Sequence, residues 1–255
     1  MNIKILTLFP EMFEGFLSNS IIKRALAKEV VNIEIINIRD YTTDKYHRVD
    51  SYPVGGGAGL VMKCQPIVDC INAHKTSKSH VIMLSPRGKT YNQSRARELT
   101  QMEDIILLCG HYEGIDERTN KYVDEQISIG DYILTGGELG AMVISDSIIR
   151  LLDGAIAEDS TTEESFENGL LEYPQYTEPY DYNGDKIPDI LYCGNHTAIK
   201  KWRQKKSLYL TKELRPDLFE KYRLTKSDRK LLEEEKENAS WELAALEKGK
   251  KFIKE

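Results

Sequence analysis

MNIKILTLFPEMFEGFLSNSIIKRALAKEVVNIEIINI, residues 1–38, decides the fold class. Residues 3–9 are an apolar run closed by Pro10, the pattern of a buried strand, and residues 31–38 form a second. Between them Met12, Phe13, Phe16, Leu17, Ile21, Ala25 and Leu26 recur at helical spacing. Further short apolar runs at residues 81–84 and 105–109 are separated by the polar, helix-prone stretch 93–101. Strands alternating with helices imply an α/β fold with a mostly parallel sheet, here one domain over residues 1–156.

The tail changes character. Residues 157–164 are polar and acidic and read as a flexible linker. From residue 165 to 255 the pattern is that of a small all-α domain. Asn195 is placed to cap a helix carrying Ile199, Trp202 and Leu208, and Leu231, Leu232, Trp241, Leu243 and Leu246 stand among many Glu and Lys residues.

The 255 residues are 40% hydrophobic and 30% charged, with no apolar run near the roughly 18 residues of a membrane span. The N-terminus lacks a signal peptide's cleavage region, so a soluble, cytoplasmic protein is expected. Cys64, Cys70, Cys109 and Cys193 form no close metal-type pair and read as reduced thiols, with no zinc site. The formal charge of −6 argues against nucleic acid, but it is segregated. Residues 153–189 hold 11 acidic side chains and one basic, whereas residues 199–230 hold 12 basic against four acidic. That local excess suits phosphates.

Three loops follow predicted strands on what is expected to be one edge of the sheet, where open α/β sheets bind ligands. They are LSPRG (84–88), CGHYEGID (109–116) and SIGDYILTGGE (128–138), the last read as a brief apolar strand around Tyr132, Ile133 and Leu134 leading to paired glycines at a helix start. Asp131 and Glu138 put negative charge beside whatever the glycines admit, which suits a cation, such as a sulfonium, better than a phosphate. GGGAG (55–59) lacks the Gly-Lys-Ser/Thr of a P-loop, and no Gly-x-Gly-x-x-Gly follows residues 3–9, so no dinucleotide domain is indicated. A phosphate- or nucleotide-hydrolysing enzyme built on GGGAG predicts ATP affinity.

LTLFPEMF (6–13), YPVGGGAG (52–59), GHYEGIDER (110–118), SIGDYILTGGEL (128–139), ENGLLEYPQYTEP (167–179) and GNHTAIKKWR (194–203) resemble, in order, the bacterial tRNA (guanine-N1)-methyltransferases, the TrmD family of the SPOUT superfamily. The likeness extends to about Leu232. It implies a deep trefoil knot in the α/β domain, which chain-connectivity rules would never suggest. It also implies a homodimer with two shared active sites, and a methyl group passed from S-adenosyl-L-methionine to N1 of guanine 37 in tRNA carrying guanines at positions 36 and 37. The cofactor would be lined by Leu84, Ser85 and Pro86, by Gly110, Tyr112 and Glu113, by Ser128, Ile129, Gly130, Asp131, Tyr132, Ile133 and Leu134, and by Gly136, Gly137 and Gly140.

By the same resemblance Arg150 is the catalytic cation, and the base is the acid of a family Asp-Ser-Phe triplet that here reads Glu164-Ser165-Phe166. Glu is one methylene longer than Asp with the same acid–base chemistry; Asp159 is the distant second candidate. Glu113 by analogy recognises the guanine or holds Mg²⁺, a requirement that rests on resemblance alone. Asp50, Tyr52 and the loop of Gly55, Gly56 and Gly57 form the wall receiving the base, while Lys200, Arg203, Lys205 and Lys206 hold RNA phosphates. Gln175 stands where His is common in the family and Glu178 where Arg is common. The alternative is a catalytically impaired SPOUT-fold RNA-binding protein.

Overall fold

The computed structural model describes residues 1–156, 164–237 and 239–249. Of the expected linker only Glu164 falls within them; Asp159 lies outside the described residues. The chain divides into two compact units, Met1–Glu158 and Asp159–Glu255.

In the first unit β1 (Asn2–Thr7) leads through a 3-10 turn (Pro10–Phe13) to α1 (Glu14–Ser18), α2 (Ser20–Ala27) and β2 (Asn32–Asn37). A short antiparallel ladder joins β3 (Asp50–Ser51) to β4 (Val61–Met62). Then follow α3 (Cys64–His74), β5 (Ser79–Thr90), α4 (Gln93–Leu99), β6 (Asp104–Leu108), β7 (Glu125–Ser128) and α5 (Glu138–Ile149). A single sheet in the order β2-β1-β6-β5-β7 is parallel throughout, as the opening strand–helix–strand pattern requires.

Alternation along the strands feeds two cores. Ile3, Ile5, Ile82, Ile105 and Leu107 pack with Ile144 and Ile148 of α5, whereas Leu6, Val81, Met83, Ile106 and Leu108 pack with Ile67 and Ile71 of α3. Every residue of β6 is buried, which explains its unbroken apolar sequence. Lys4, the polar exception in β1, donates at 3.0 Å to both the Asp104 carboxylate and the His74 carbonyl at the sheet's amino edge.

The last strand is not where the apolar triplet suggested. Tyr132, Ile133 and Leu134 lie in a loop, and Ile133 is 83% exposed. The strand is β7, four residues earlier, because Ile127 fills the core beside β5 and Gly130, at φ 147°, ends the extended run. LSPRG also falls inside β5 rather than after it. Its residues bulge out between two pairings of β5 with Ile127, through Leu84 and then through Lys89. A Cβ on Gly88 would stand 2.5 Å from the main chain of Gln126 and Ile127, so only glycine permits that crossing.

The second unit is not all-α. It carries a hairpin, β8 (Asp181–Tyr182) and β9 (Asp185–Lys186), turned by Asn183 and Gly184, both at positive φ. After a 3-10 turn (Asp189–Tyr192), the α-helices among the described residues are α6 (His196–Leu214), α7 (Pro216–Phe219), α8 (Lys226–Glu233) and α9 (Ser240–Gly249). Asn195 caps α6 as expected, accepting from the Ala198 amide at 3.2 Å, and Thr225 with Asp228 forms a reciprocal capping box on α8. Trp202 and Leu208 anchor two small clusters along α6.

Lys205 contradicts its assignment as a phosphate contact. Its side chain is fully buried, with Nζ 2.7 Å from Glu242 Oε1 on α9. It faces inward because it lies three residues after Trp202 and three before Leu208, on the same stripe of α6. Replacing Lys205 removes the buried cation that faces the Glu242 carboxylate. Lys205→Met should therefore destabilise the protein by about 3–5 kcal/mol, and Lys205→Met with Glu242→Leu should recover most of that, both read from urea unfolding followed by Trp fluorescence.

Candidate functional site

Because all five strands of the sheet run parallel, their carboxyl ends share an edge. There β5, β6 and β7 release residues 84–87, 109–116 and 128–137, and these enclose a cavity of about 500 Å³. That is the size range of small-molecule and cofactor sites. Of the sixteen residues expected at a cofactor, fifteen line it; Asp131 does not and is solvent-exposed. The structure adds Arg87, His111, Ile115, Asp116, Asn120 and Thr135.

Main chain meets main chain on one side of this cavity. The Gly137 amide donates to the Gly110 carbonyl at 2.8 Å, and His111 bridges to Gly136. A Cβ on Gly137 would stand 2.8 Å from Cys109 Cα, and one on Gly136 only 2.3 Å from Glu138 Oε2. The Ser128 hydroxyl accepts from the Gly130 amide at 3.2 Å and the Tyr132 hydroxyl donates to the Ile129 carbonyl at 3.3 Å, folding the exposed loop over the opening. The wall is thus made of closely packed main chain and poor in intruding side chains.

Charge at the cavity is sparse. Arg87 is tied to Glu117 at 2.9 Å and Asp116 to Arg118 at 2.6 Å. Hydrogen bonding from the Arg118 guanidinium, outweighing burial, holds the Asp116 carboxyl below its ordinary value. Glu113 turns toward the glycine loop, where a Cβ on Gly59 would meet its Cγ at 2.4 Å. Tyr112, at φ 61°, places its hydroxyl 3.5 Å from Arg39 and beside Asp50; burial first and Asp50 second raise its pKa. Asp50 thus adjoins the cavity-lining Tyr112, and Gly59 adjoins Glu113, whereas Gly55, Gly56 and Gly57 are exposed and Tyr52 extends outward, 78% exposed.

Other expected groups stand elsewhere. Arg150 caps the far end of α5, well beyond Gly140, the last residue of that helix to line the cavity of its own chain. Glu164 belongs to the second unit and is half-buried. All four cysteines are free; burial, with Asp40 and Glu34 adding, pushes the Cys70 thiol up to about 12, and burial raises Cys109 as well. Among the described residues no three His, Cys, Asp or Glu side chains converge as a metal site would, and no helix is long and apolar enough to cross a membrane.

The second unit holds a separate pocket of about 620 Å³ between residues 173–178 and the first two turns of α6. His196, Ile199, Lys200 and Arg203 face it from one side of the helix, and Tyr173, Tyr176 and Tyr192 face them. The Arg203 guanidinium lies over the Tyr173 ring at 4.6 Å. Lys206 is outside this pocket, largely buried against Trp202 and paired with Glu237. Basic residues interleaved with aromatic ones were legible only by half in the sequence: Lys200 and Arg203 stood out by charge, while the tyrosines needed the fold to bring them opposite.

The model of the family described as tRNA (guanine-1)-methyltransferase TrmD matches residues 1–221. A tRNA (guanine-N(1)-)-methyltransferase of Clostridium botulinum (strain 657 / Type Ba4) is 57% identical over 236 residues, covering 92% of this chain and 98% of that protein. Proteins of the same name from Clostridium beijerinckii and Clostridium perfringens (strain SM101 / Type A) are 57% and 55% identical over 234 residues, covering 91% of this chain and 98% and 99% of theirs. With a family model spanning most of its length and relatives above half identity, the chain belongs to the tRNA (guanine-1)-methyltransferase TrmD family.

Proposed function

We propose that the protein transfers a methyl group from S-adenosyl-L-methionine to N1 of guanine 37 of tRNA with guanines at 36 and 37. Two copies of the chain would form two shared active sites. The observation that carries this reading is the cavity wall at Gly136 and Gly137, where main chain lines the cavity and no side chain could be added without a clash. Such a wall suits an adenosyl group held by main-chain hydrogen bonds, and family membership supplies the reaction. The main-chain crossings at Gly88 and Gly137 support a deep trefoil knot around the same cavity. The division of labour follows the two units: cofactor binding in residues 1–156, a linker over residues 157–164, and tRNA binding in residues 165–255.

Guanine N1 carries a proton that must leave as the methyl arrives. Glu164 accepts it, and Arg150 stabilises the negative charge that develops on O6. Both act on the cavity of the partner copy, since the stretch of α5 from the cavity-lining Gly140 to Arg150, on the order of 15 Å long, holds Arg150 away from its own. The bound cofactor contributes the electrophilic methyl on sulfur. Asp50, Tyr52 and the loop of Gly55, Gly56 and Gly57 receive the extruded base beside Glu113. Among the described residues no three His, Cys, Asp or Glu side chains gather at Glu113 as a protein-built Mg²⁺ shell would.

Incubation with methyl-labelled cofactor and unmodified tRNA should place label on N1 of guanine 37; tRNA binding without transfer would leave a non-catalytic RNA-binding protein. Glu164→Gln should lower turnover by about 10²–10⁴-fold with cofactor affinity unchanged, and Glu164→Asp should keep activity; unchanged turnover in the amide variant would move the base elsewhere. Gly137→Ala, forcing a Cβ against Cys109, should weaken cofactor binding about tenfold or more by calorimetry. Arg203→Ala should raise the KM for tRNA about 5- to 30-fold and leave cofactor affinity untouched.

A further inference from the structure

Glu138 is the first residue of α5 and is 2% exposed, a carboxylate withdrawn from water. Its Oε1 accepts from the fully buried Thr7 hydroxyl at 2.8 Å. Among the described residues no lysine or arginine pairs with it. Its Oε2 lies directly behind Gly136, 2.3 Å from where a Cβ would be, and Gly136 lines the cavity. The same point is 2.6 Å from His111 Nδ1, a buried nitrogen without a hydrogen-bond partner. One glycine's backbone therefore separates the carboxylate from whatever occupies the cavity.

A buried carboxylate without a lysine or arginine partner is costly, and a cation close by in a poorly hydrated cavity offsets that cost. We propose that Glu138 is a buried counter-charge that selects a sulfonium ligand over its neutral thioether, and so favours the methyl donor over the demethylated product. This rests on reading the cavity as the S-adenosyl-L-methionine site. The two ligands share every other group, and the donor carries one more positive charge than S-adenosylhomocysteine. Product would then lose a favourable interaction when the methyl departs, which promotes its release. The Cys109 thiol, held well above its ordinary value by burial and by the Glu138 charge, registers the same field.

A structural role makes a different prediction. An acid in the first turn of a helix interacts favourably with the macrodipole, and the Thr7 bond fixes it there. Losing either would disturb the wall for both ligands alike. Glu138→Gln keeps the shape and an oxygen for Thr7 while removing the charge. With an effective dielectric of about 20, one charge across one thickness of backbone alters affinity on the order of tenfold or more.

Calorimetric titration of the full chain with S-adenosyl-L-methionine and with S-adenosylhomocysteine tests this. Glu138→Gln should weaken the sulfonium ligand about tenfold and the thioether by less than about threefold. Glu138→Met serves the same measurement if the amide variant fails to fold, and Thr7→Val, which keeps the charge, should leave the ratio of affinities as in wild type. Equal weakening of both ligands in Glu138→Gln, or an unchanged ratio, overturns the inference. Wild-type protein that binds neither ligand would overturn the cofactor reading instead.

Discussion

Main chain can press against main chain only where no Cβ intervenes, and the carboxyl edge of this sheet depends on that allowance. Gly137 lies against Cys109 and Gly110, and Gly88 lies against Gln126 and Ile127. Each contact brings together segments that leave different strands. Without them residues 84–88 and 129–137 could not fold back over the ends of β5, β6 and β7, and the cavity would have no wall. The parallel sheet supplies the rest, since only a parallel arrangement collects three strand ends on one edge. Close packing at these crossings, more than any single side chain, sets the shape of the cavity.

The α/β class was readable from residues 1–38 because buried parallel strands write themselves as apolar runs and their crossover helices as a 3.6-residue period. Periodicity failed where tertiary contacts outweighed it. Tyr132, Ile133 and Leu134 look like a strand but cover the cavity opening, while the true strand, EQIS, has one strongly apolar residue because it is a short edge strand. The hairpin at DYNGDK was overlooked despite its Asn-Gly turn, whose positive φ angles at Asn183 and Gly184 are those of the favoured two-residue hairpin. Clustering of the expected cofactor residues in one cavity followed from motifs, whereas the tyrosines opposite Lys200 and Arg203 are separated in sequence and carry no shared signal.

Charge in the sequence misleads where burial reassigns it. Of the basic residues in α6, Lys205 is sealed against Glu242, Lys206 is held by Glu237 and Lys201 by Glu234 at 3.2 Å. The cations facing the second pocket are Lys200 and Arg203, with His196 beside them. Glu138 is the mirror case: the sequence sets it with Asp131 as charge beside a ligand, and of the two it is Glu138 that is buried, under a glycine wall and without a lysine or arginine partner among the described residues. A count of charges along a segment therefore overstates what a ligand would meet, and the fold decides which charges remain to meet it.

Helix α5 carries three different features along one rod. Its amino end forms the cavity wall, its amino-terminal half exposes Leu139 and Val143 one turn apart at 48% and 47%, and Arg150 closes its carboxyl end. Exposed apolar side chains so spaced suit a partner surface better than water. A two-fold axis crossing the middle of that face would set two copies of α5 antiparallel, since an isologous contact inverts the direction of a helix lying across it. Each Arg150 would then be carried toward the other copy's Gly137. The length of a rigid helix, which keeps Arg150 from its own cavity, is on this reading what delivers it to the partner's.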